Sequence, residues 1–469
     1  MTLIIDDLYK KGAIIYENKE YNFYDYEISR NELSQCLRKK SICIVIDDKS
    51  IESTIAIISL LISNQNIILI DSLIIDKQIS NLIKNFQCNY IIGSENSLSK
   101  LNIKNQIRTS YFSIIECKSS IKTDHPLDNQ SILLLGTSGS SGVSKFVGIT
   151  HENLIENCKS ICNYLMNNEK TIAINNLPCS YSYGLSILNT TLFKGGKYII
   201  SKNNSFLRKE FWDDVNKYKI TDFSGVPTTY KSLLKLDFIK LFPNSLKRVT
   251  QAGGKLDKKM QLKLLELSRK MNFDLFIMYG QTEATARLTF LNLTKEPNKI
   301  GTVGRVIKGV KLKSKDEYNN KDNRNLIFSG KNISLGYFTN YEDIINSVDK
   351  FKGVLITGDI GFLDEDNCIT ITGRESRFAK IDGHRIALDE LEMKISEESE
   401  NFAIVSNDEF LFIALPNSNS LSQKKLINII AQDSTMHKSK IKVFDVQIPL
   451  TSNGKISYSE LLKIMEKKI

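Results

Sequence analysis

LLLGTSGSSGVSKFVGITH, Leu133 to His151, is the stretch that decides how the chain folds. The four apolar residues Ile132 to Leu135 have the pattern of a short buried strand. Gly136, Thr137, Ser138, Gly139, Ser140, Ser141, Gly142, Val143, Ser144 and Lys145 follow. Glycine lets the backbone approach an anion and turn its N–H groups toward it. Five hydroxyls and one ammonium add side-chain donors. Such a loop suits a polyphosphate, most simply that of ATP. It is not a Walker A loop, because Gly142 is followed by Val143 and Lys145 by Phe146. The hydrolase elbow G-x-S-x-G fails too, with serine at position 140. Phe146, Val147 and Ile149 predict a second strand rather than a helix. A flexible Gly/Ser turn has the same composition, and the residues downstream decide between the two.

With 469 residues the chain is too long for one ordinary core, so two or more domains are expected. Its 41% hydrophobic and 25% charged residues are ordinary for a globular protein. The net charge of +10 comes from scattered lysines, and no basic stripe interleaved with aromatics argues for nucleic acid. The eight cysteines show no C-x-x-C spacing and read as free thiols in a reducing compartment. Cys158 and Cys162 read as small buried side chains. The N-terminus MTLIIDDLYKKG lacks a signal-peptide core, and the longest apolar run, Thr54 to Ser63, is too short to span a bilayer. These features predict a soluble cytoplasmic protein.

Ile51 to Asp71 reads as an amphipathic helix, a polar turn and a buried strand; Asn81 to Ser94 repeats that order, and the texture recurs at Phe211 to Ser224 and Lys258 to Met278. Alternation of this kind predicts an α/β fold, with parallel sheets and helical crossovers. From Gly301 to Thr372 short β-type runs predict a small β-rich subdomain. Beyond Gly373 a helix at Leu388 to Glu398 and strands at Phe402 to Val405 and Phe410 to Leu415 predict a small α+β domain.

Seven further segments follow the loop in order: LPCSYSYGLS (Leu177–Ser186), TQAGGKL (Thr250–Leu256), MYGQTEATAR (Met278–Arg287), GTVGRVIKGVKL (Gly301–Leu312), LITGDIGFLDED (Leu355–Asp366), GRESRFAKIDGHRIALDELE (Gly373–Glu392) and PLTSNGKISY (Pro449–Tyr458). From about residue 130 onward the chain therefore resembles the adenylate-forming superfamily of acyl-CoA synthetases, peptide-synthetase adenylation domains and luciferases. Its motif wording is most similar to acyl-CoA synthetase-like ligases. The resemblance implies a large AMP-binding domain at 1–373, with the β-rich part at about 301–372, a hinge at 374–377, and a small mobile domain at 378–469.

It also implies roles. Thr137, Ser138, Gly139, Ser140, Ser141, Gly142 and Lys145 would hold the triphosphate. Gly253, Gly254, Tyr279, Gly280, Gln281 and Thr282 would surround the nucleotide, with Tyr279 on adenine and Thr282 at the α-phosphate. Glu283 would hold Mg²⁺, Asp359 the ribose hydroxyls, and Arg374 would reach the nucleotide. Lys455 would bridge carboxylate and α-phosphate. Lys380, Gly383 and Arg385 would serve the thioester-forming pose, with Gly383 leaving room for a pantetheine arm. Ser376 stands where many relatives carry Asp or Lys at the hinge. Tyr181, Tyr183, Val226 and Gly253 would line the acyl pocket. Amino-acid-activating relatives usually carry aspartate where this chain has Tyr183-Gly184, so a plain carboxylic acid is expected, with CoA or a carrier protein as acceptor. An amino-acid-activating ligase and a non-catalytic nucleotide-binding protein are the alternatives.

Overall fold

A computed structural model describes residues 3–38, 40–73, 76–101, 106–117, 132–137, 145–313, 324–381, 384–396, 402–416, 423–434, 437–450 and 456–468. Two large sheets dominate it. The eight-stranded sheet runs in the order Tyr337–Phe338, Phe146–Thr150, Ile132–Gly136, Asn66–Asp71, Ile42–Asp47, Tyr90–Gly93, Ser113–Glu116, Gln106–Arg108. Its three central pairings are parallel. The nine-stranded sheet runs Arg305–Val306, Thr289–Asn292, Asp274–Tyr279, Arg248–Gln251, Asp222–Gly225, Ile172–Ile174, Lys197–Ile199, Ala13–Tyr16, Lys19–Tyr21. It is parallel through the middle, with antiparallel strands at both ends.

As the sequence predicts, Phe146–Thr150 is a strand, and it forms an antiparallel hairpin with Ile132–Gly136. Thr150 then caps the helix His151–Leu165. Its hydroxyl accepts the Asn153 N–H at 3.1 Å, and the Asn153 side chain accepts the Thr150 N–H at 2.9 Å. Cys158 and Cys162 on this helix are buried, as expected of small side chains in a core.

The helix Ile51–Ile62 corrects one expectation. It is not amphipathic: every residue but Glu52 is buried. It sits in the main core with residues from both sheets, such as Val45, Leu69, Ile14 and Tyr198. A helix with no free face needs no polar stripe.

The β-rich region forms a four-stranded antiparallel sheet, Val310–Leu312, Arg324–Gly330, Val354–Leu363 and Ile369–Arg374. It is less separate than the sequence suggests. Arg305–Val306 joins the nine-stranded sheet and Tyr337–Phe338 the eight-stranded one. Beyond the short turn Glu375–Arg377 come the hairpin Phe378–Ile381 and His384–Ala387 and a sheet of Ala403–Ser406, Leu411–Ala414 and Ile441–Phe444. The helices Leu388–Ser396, Gln423–Ser434 and Tyr458–Glu466 accompany them. Among the described residues no helix is long and apolar enough to cross a membrane.

Candidate active site

Open α/β sheets bind ligands beyond the carboxyl ends of their parallel strands. Val226, Gly253 and Gly280 each follow such an end in the nine-stranded sheet, and Thr137 follows one in the eight-stranded sheet.

Three of the expected nucleotide residues meet at one carboxylate. Asp359 is 2% exposed. Its Oδ2 accepts the Tyr279 hydroxyl at 2.5 Å and its Oδ1 accepts Arg374 Nε at 2.7 Å. Asp359 and Arg374 are direct partners in the antiparallel register, so strand pairing alone sets them side by side. Burial, reinforced by the Asp359 charge, pushes the Tyr279 hydroxyl up, so it stays a neutral donor. Asp359 raises the Arg374 guanidinium further. The Tyr279 ring packs against Phe328, with centroids 6.3 Å apart. Gln281 Nε2 reaches the Tyr279 hydroxyl at 3.5 Å.

A second group gathers at Thr282 and Glu283, on the short turn after Gly280 and Gln281. Glu283 accepts the Tyr337 hydroxyl at 2.8 Å. Lys145 Nζ lies 5.7 Å from the centre of the Tyr337 ring, within cation–π range. The Thr137 N–H and hydroxyl both face the Lys145 carbonyl, at 3.2 and 3.4 Å, and close the neck of the Gly/Ser loop. Ser138, Gly139, Ser140, Ser141 and Gly142 lie outside the described residues. Thr282 Oγ1 is 3.4 Å from Ser182 Oγ, which links this group to the acyl side.

On that side the Tyr181 and Tyr183 rings meet edge to face at 6.2 Å. Val226 belongs to the same apolar cluster. The Tyr183 hydroxyl is fixed by the Thr250 carbonyl at 2.9 Å and the Thr250 hydroxyl at 2.7 Å. Gly253 has φ +82°, and a Cβ there would fall 2.1 Å from the Tyr181 hydroxyl oxygen, so glycine is required on both counts. Gly254 follows, against Pro227.

Lys380 and Arg385 are directly opposed across the hairpin beyond the turn. Gly383, between them in sequence, lies outside the described residues, as does Lys455. An isolated bridge between Leu450 and Ile456 brackets the Lys455 segment. At the expected hinge, Arg377 Nε donates to Asp389 Oδ1 at 2.9 Å and its guanidinium lies 3.6 Å from the centre of the Tyr458 ring.

Tyr337 and Ser182 were not singled out by the sequence. Tyr337 sits at the edge of the other sheet, 54 residues beyond Glu283; its signal is the Gly336-Tyr337 pair, whose Gly336 carbonyl accepts the Gly148 N–H of the loop hairpin. Arg287 closes a quoted motif, yet no role was given to it.

The pattern of the "AMP-binding enzyme" family matches residues 8–338. The chain belongs to that family. Among curated relatives it is 27% identical over 350 residues to the peroxisomal OPC-8:0-CoA ligase 1 of Arabidopsis thaliana, covering 71% of this chain and 63% of the relative. It is 28% identical over 312 residues to the D-alanine–D-alanyl carrier protein ligase of Lactococcus lactis, covering 64% and 59%. The match thus spans less than two thirds of either relative. Among solved structures, O-succinylbenzoate coenzyme A synthetase of Bacillus subtilis, in complex with ATP and magnesium ion, superposes with a TM-score of 0.73 at 18% identity, over 97% of each chain. The family's fold therefore extends across nearly the whole molecule.

Proposed function

We propose that the protein activates a carboxylic acid with ATP, forming an acyl-adenylate and releasing pyrophosphate. The acyl group then passes to the thiol of CoA or of a carrier protein's phosphopantetheine arm. One observation carries this reading. The buried Asp359–Tyr279 pair with the exposed Arg374, and the Thr282–Glu283–Tyr337 group, stand on opposite flanks of one turn, Gly280 to Glu283, which meets the acyl side through Ser182.

The donor set fits a magnesium–nucleotide. Asp359 keeps a free lone pair on each oxygen for two vicinal hydroxyls. Thr137, Thr282 and Lys145 offer hydroxyls and a cation to phosphate oxygens. Glu283 is a hard oxygen ligand, and Mg²⁺ there would offset triphosphate charge. Tyr337 holds that carboxylate in place. Lys455 would neutralise charge as the carboxylate meets the α-phosphorus, and Gly383 would matter when the thiol enters. Named relatives include both a CoA ligase and a carrier-protein ligase, so either acceptor is supported. Unbridged cysteines support a cytoplasmic setting. The cationic Arg287, 4.6 Å from the Tyr183 ring centre, repels an α-ammonium and favours a plain acid over an amino acid.

Acid-dependent exchange of labelled pyrophosphate into ATP tests the first half-reaction. Exchange that needs both Mg²⁺ and an acid is expected; ATP turnover indifferent to any acid contradicts the reading.

A further inference from the structure

Arg287 is 2% exposed, yet among the described residues no carboxylate pairs with it. Its Nη1 donates to the Ala286 carbonyl at 3.1 Å and its Nη2 to the Ser186 hydroxyl at 3.3 Å. Among the described residues its Nε has no hydrogen-bond partner. A guanidinium carries five donors, and even with the Tyr164 hydroxyl also against it part of that capacity is unspent. The tyrosines around it do not supply an anion. Burial pushes Tyr164 up to about 12, and it raises Tyr181 and Tyr183 as well, so all three stay neutral. A buried cation without a counter-charge is costly, and folded proteins pair such groups.

The unpaired cation lies beside the site. Arg287, Tyr183, Ser186, Ser224, Thr250 and Met278 share a cavity of about 20 Å³, roughly the room of one water. The carboxylate on that cavity's wall, Asp222, is already taken by Arg248, whose Nη2 donates to it at 2.9 Å. Ser182, which touches Thr282, and Ser186, which touches Arg287, stand one turn apart on the same face of the helix Ser182–Phe193. A compact acid whose reacting end lies at Thr282 would therefore direct its other end toward Arg287.

We propose that the acid activated here is a compact dicarboxylate, whose second carboxylate pairs with Arg287. The proposal rests on the acid-activation reading above. It names a substrate class: an acid with one carboxylate for adenylation and one for recognition. A monocarboxylate of the same shape would leave the guanidinium buried and unpaired, and sites built around such a group reject the analogue that lacks it.

The test is pyrophosphate exchange by the full chain with α,ω-dicarboxylates of three to six carbons and the phthalate isomers. Each is compared with the monocarboxylate in which methyl replaces the second carboxylate. The expected result is a kcat/KM at least ~10²-fold higher for a dicarboxylate than for its methyl counterpart. Arg287→Met should erase that ratio by lowering the dicarboxylate value. Arg287→Lys, which keeps the charge and loses the fork, should retain a smaller preference, and it carries the test if the Met variant does not fold. Equal use of both series by the unaltered enzyme overturns the inference and leaves acid activation standing. So does an Arg287→Met variant that folds and keeps the same ratio; Arg287 is then a packing residue on Tyr183. No exchange with any acid overturns the acid-activation reading and takes the inference with it.

Discussion

The proposed nucleotide side and the proposed acyl side of this site are built on opposite plans. Around Asp359 and Glu283 every charged or hydroxyl group has a partner from another segment: Tyr279, Arg374, Tyr337. Around Tyr183 the cationic Arg287 has carbonyl and hydroxyl partners but, among the described residues, no carboxylate paired with it. A self-satisfied cluster is pre-organised for a ligand that is always the same. A cluster with an unspent cation is complete only with its particular substrate. On the proposed reading, the difference separates what the family shares from what this chain selects.

The largest expected effect belongs to Lys455. Lys455→Ala should lower acid-dependent exchange by ~10²-fold or more while ATP binding stays measurable by titration, because the lysine is proposed to act on charge that develops in the transition state. Near-normal exchange would remove Lys455 from the mechanism.

Asp359→Asn comes next. It keeps the shape and removes the charge that Tyr279 and Arg374 share. A hydrogen bond to a charged group contributes about 1.5–3 kcal/mol, so KM for ATP should rise about 10- to 100-fold with a smaller change in kcat. A change in the KM of the acid instead would mean that the two sides are not separable as described.

Tyr337→Phe removes a single hydroxyl from Glu283. A net hydrogen bond contributes about 0.5–1.5 kcal/mol, so the Mg²⁺ concentration for half-maximal exchange should rise by a few-fold, up to about tenfold. An unchanged Mg²⁺ dependence would show that Glu283 is held without it.

The smallest effect is on stability. His151 opens the helix behind the Gly/Ser-loop hairpin, and among the described residues its Nε2 has no partner. Burial, with Lys40 adding, holds its pKa down to about 4. The unfolded imidazole takes up a proton below about pH 6.5 while the folded one does not. Stability is therefore present above that pH and is lost as pH falls toward 4, by at most about 1.4 kcal/mol per unit from this group. Urea midpoints against pH should fall less steeply in His151→Gln. Equal slopes would place the acid sensitivity elsewhere.

The sequence reveals the two sides unequally, for a physical reason. Tyr279, Thr282, Glu283, Asp359 and Arg374 stand in short segments whose order along the chain carries the signal, and the structure brings Asp359 and Arg374 to Tyr279, with Thr282 and Glu283 on the turn that follows it. Tyr337 reaches Glu283 from the rim of the other sheet, which local pattern does not reveal. Arg287 was in view, but what distinguishes it is burial without a counter-ion, a property of packing alone. The helix Ile51–Ile62 was misread because serines and a threonine inside it, all buried, look in one dimension like a polar face. The β-rich region looked separate because short strands give no sign of which sheet they join.

Oxygen transfer tests the central claim most directly. The enzyme is incubated with ATP, Mg²⁺, a thiol acceptor and an acid whose reacting carboxylate carries ¹⁸O, and the products are weighed by mass spectrometry. If the carboxylate attacks the α-phosphorus, the bridging oxygen leaves with the nucleotide, and AMP carries one ¹⁸O atom while pyrophosphate carries none. Label in inorganic phosphate, with ADP as the nucleotide product, would contradict the account.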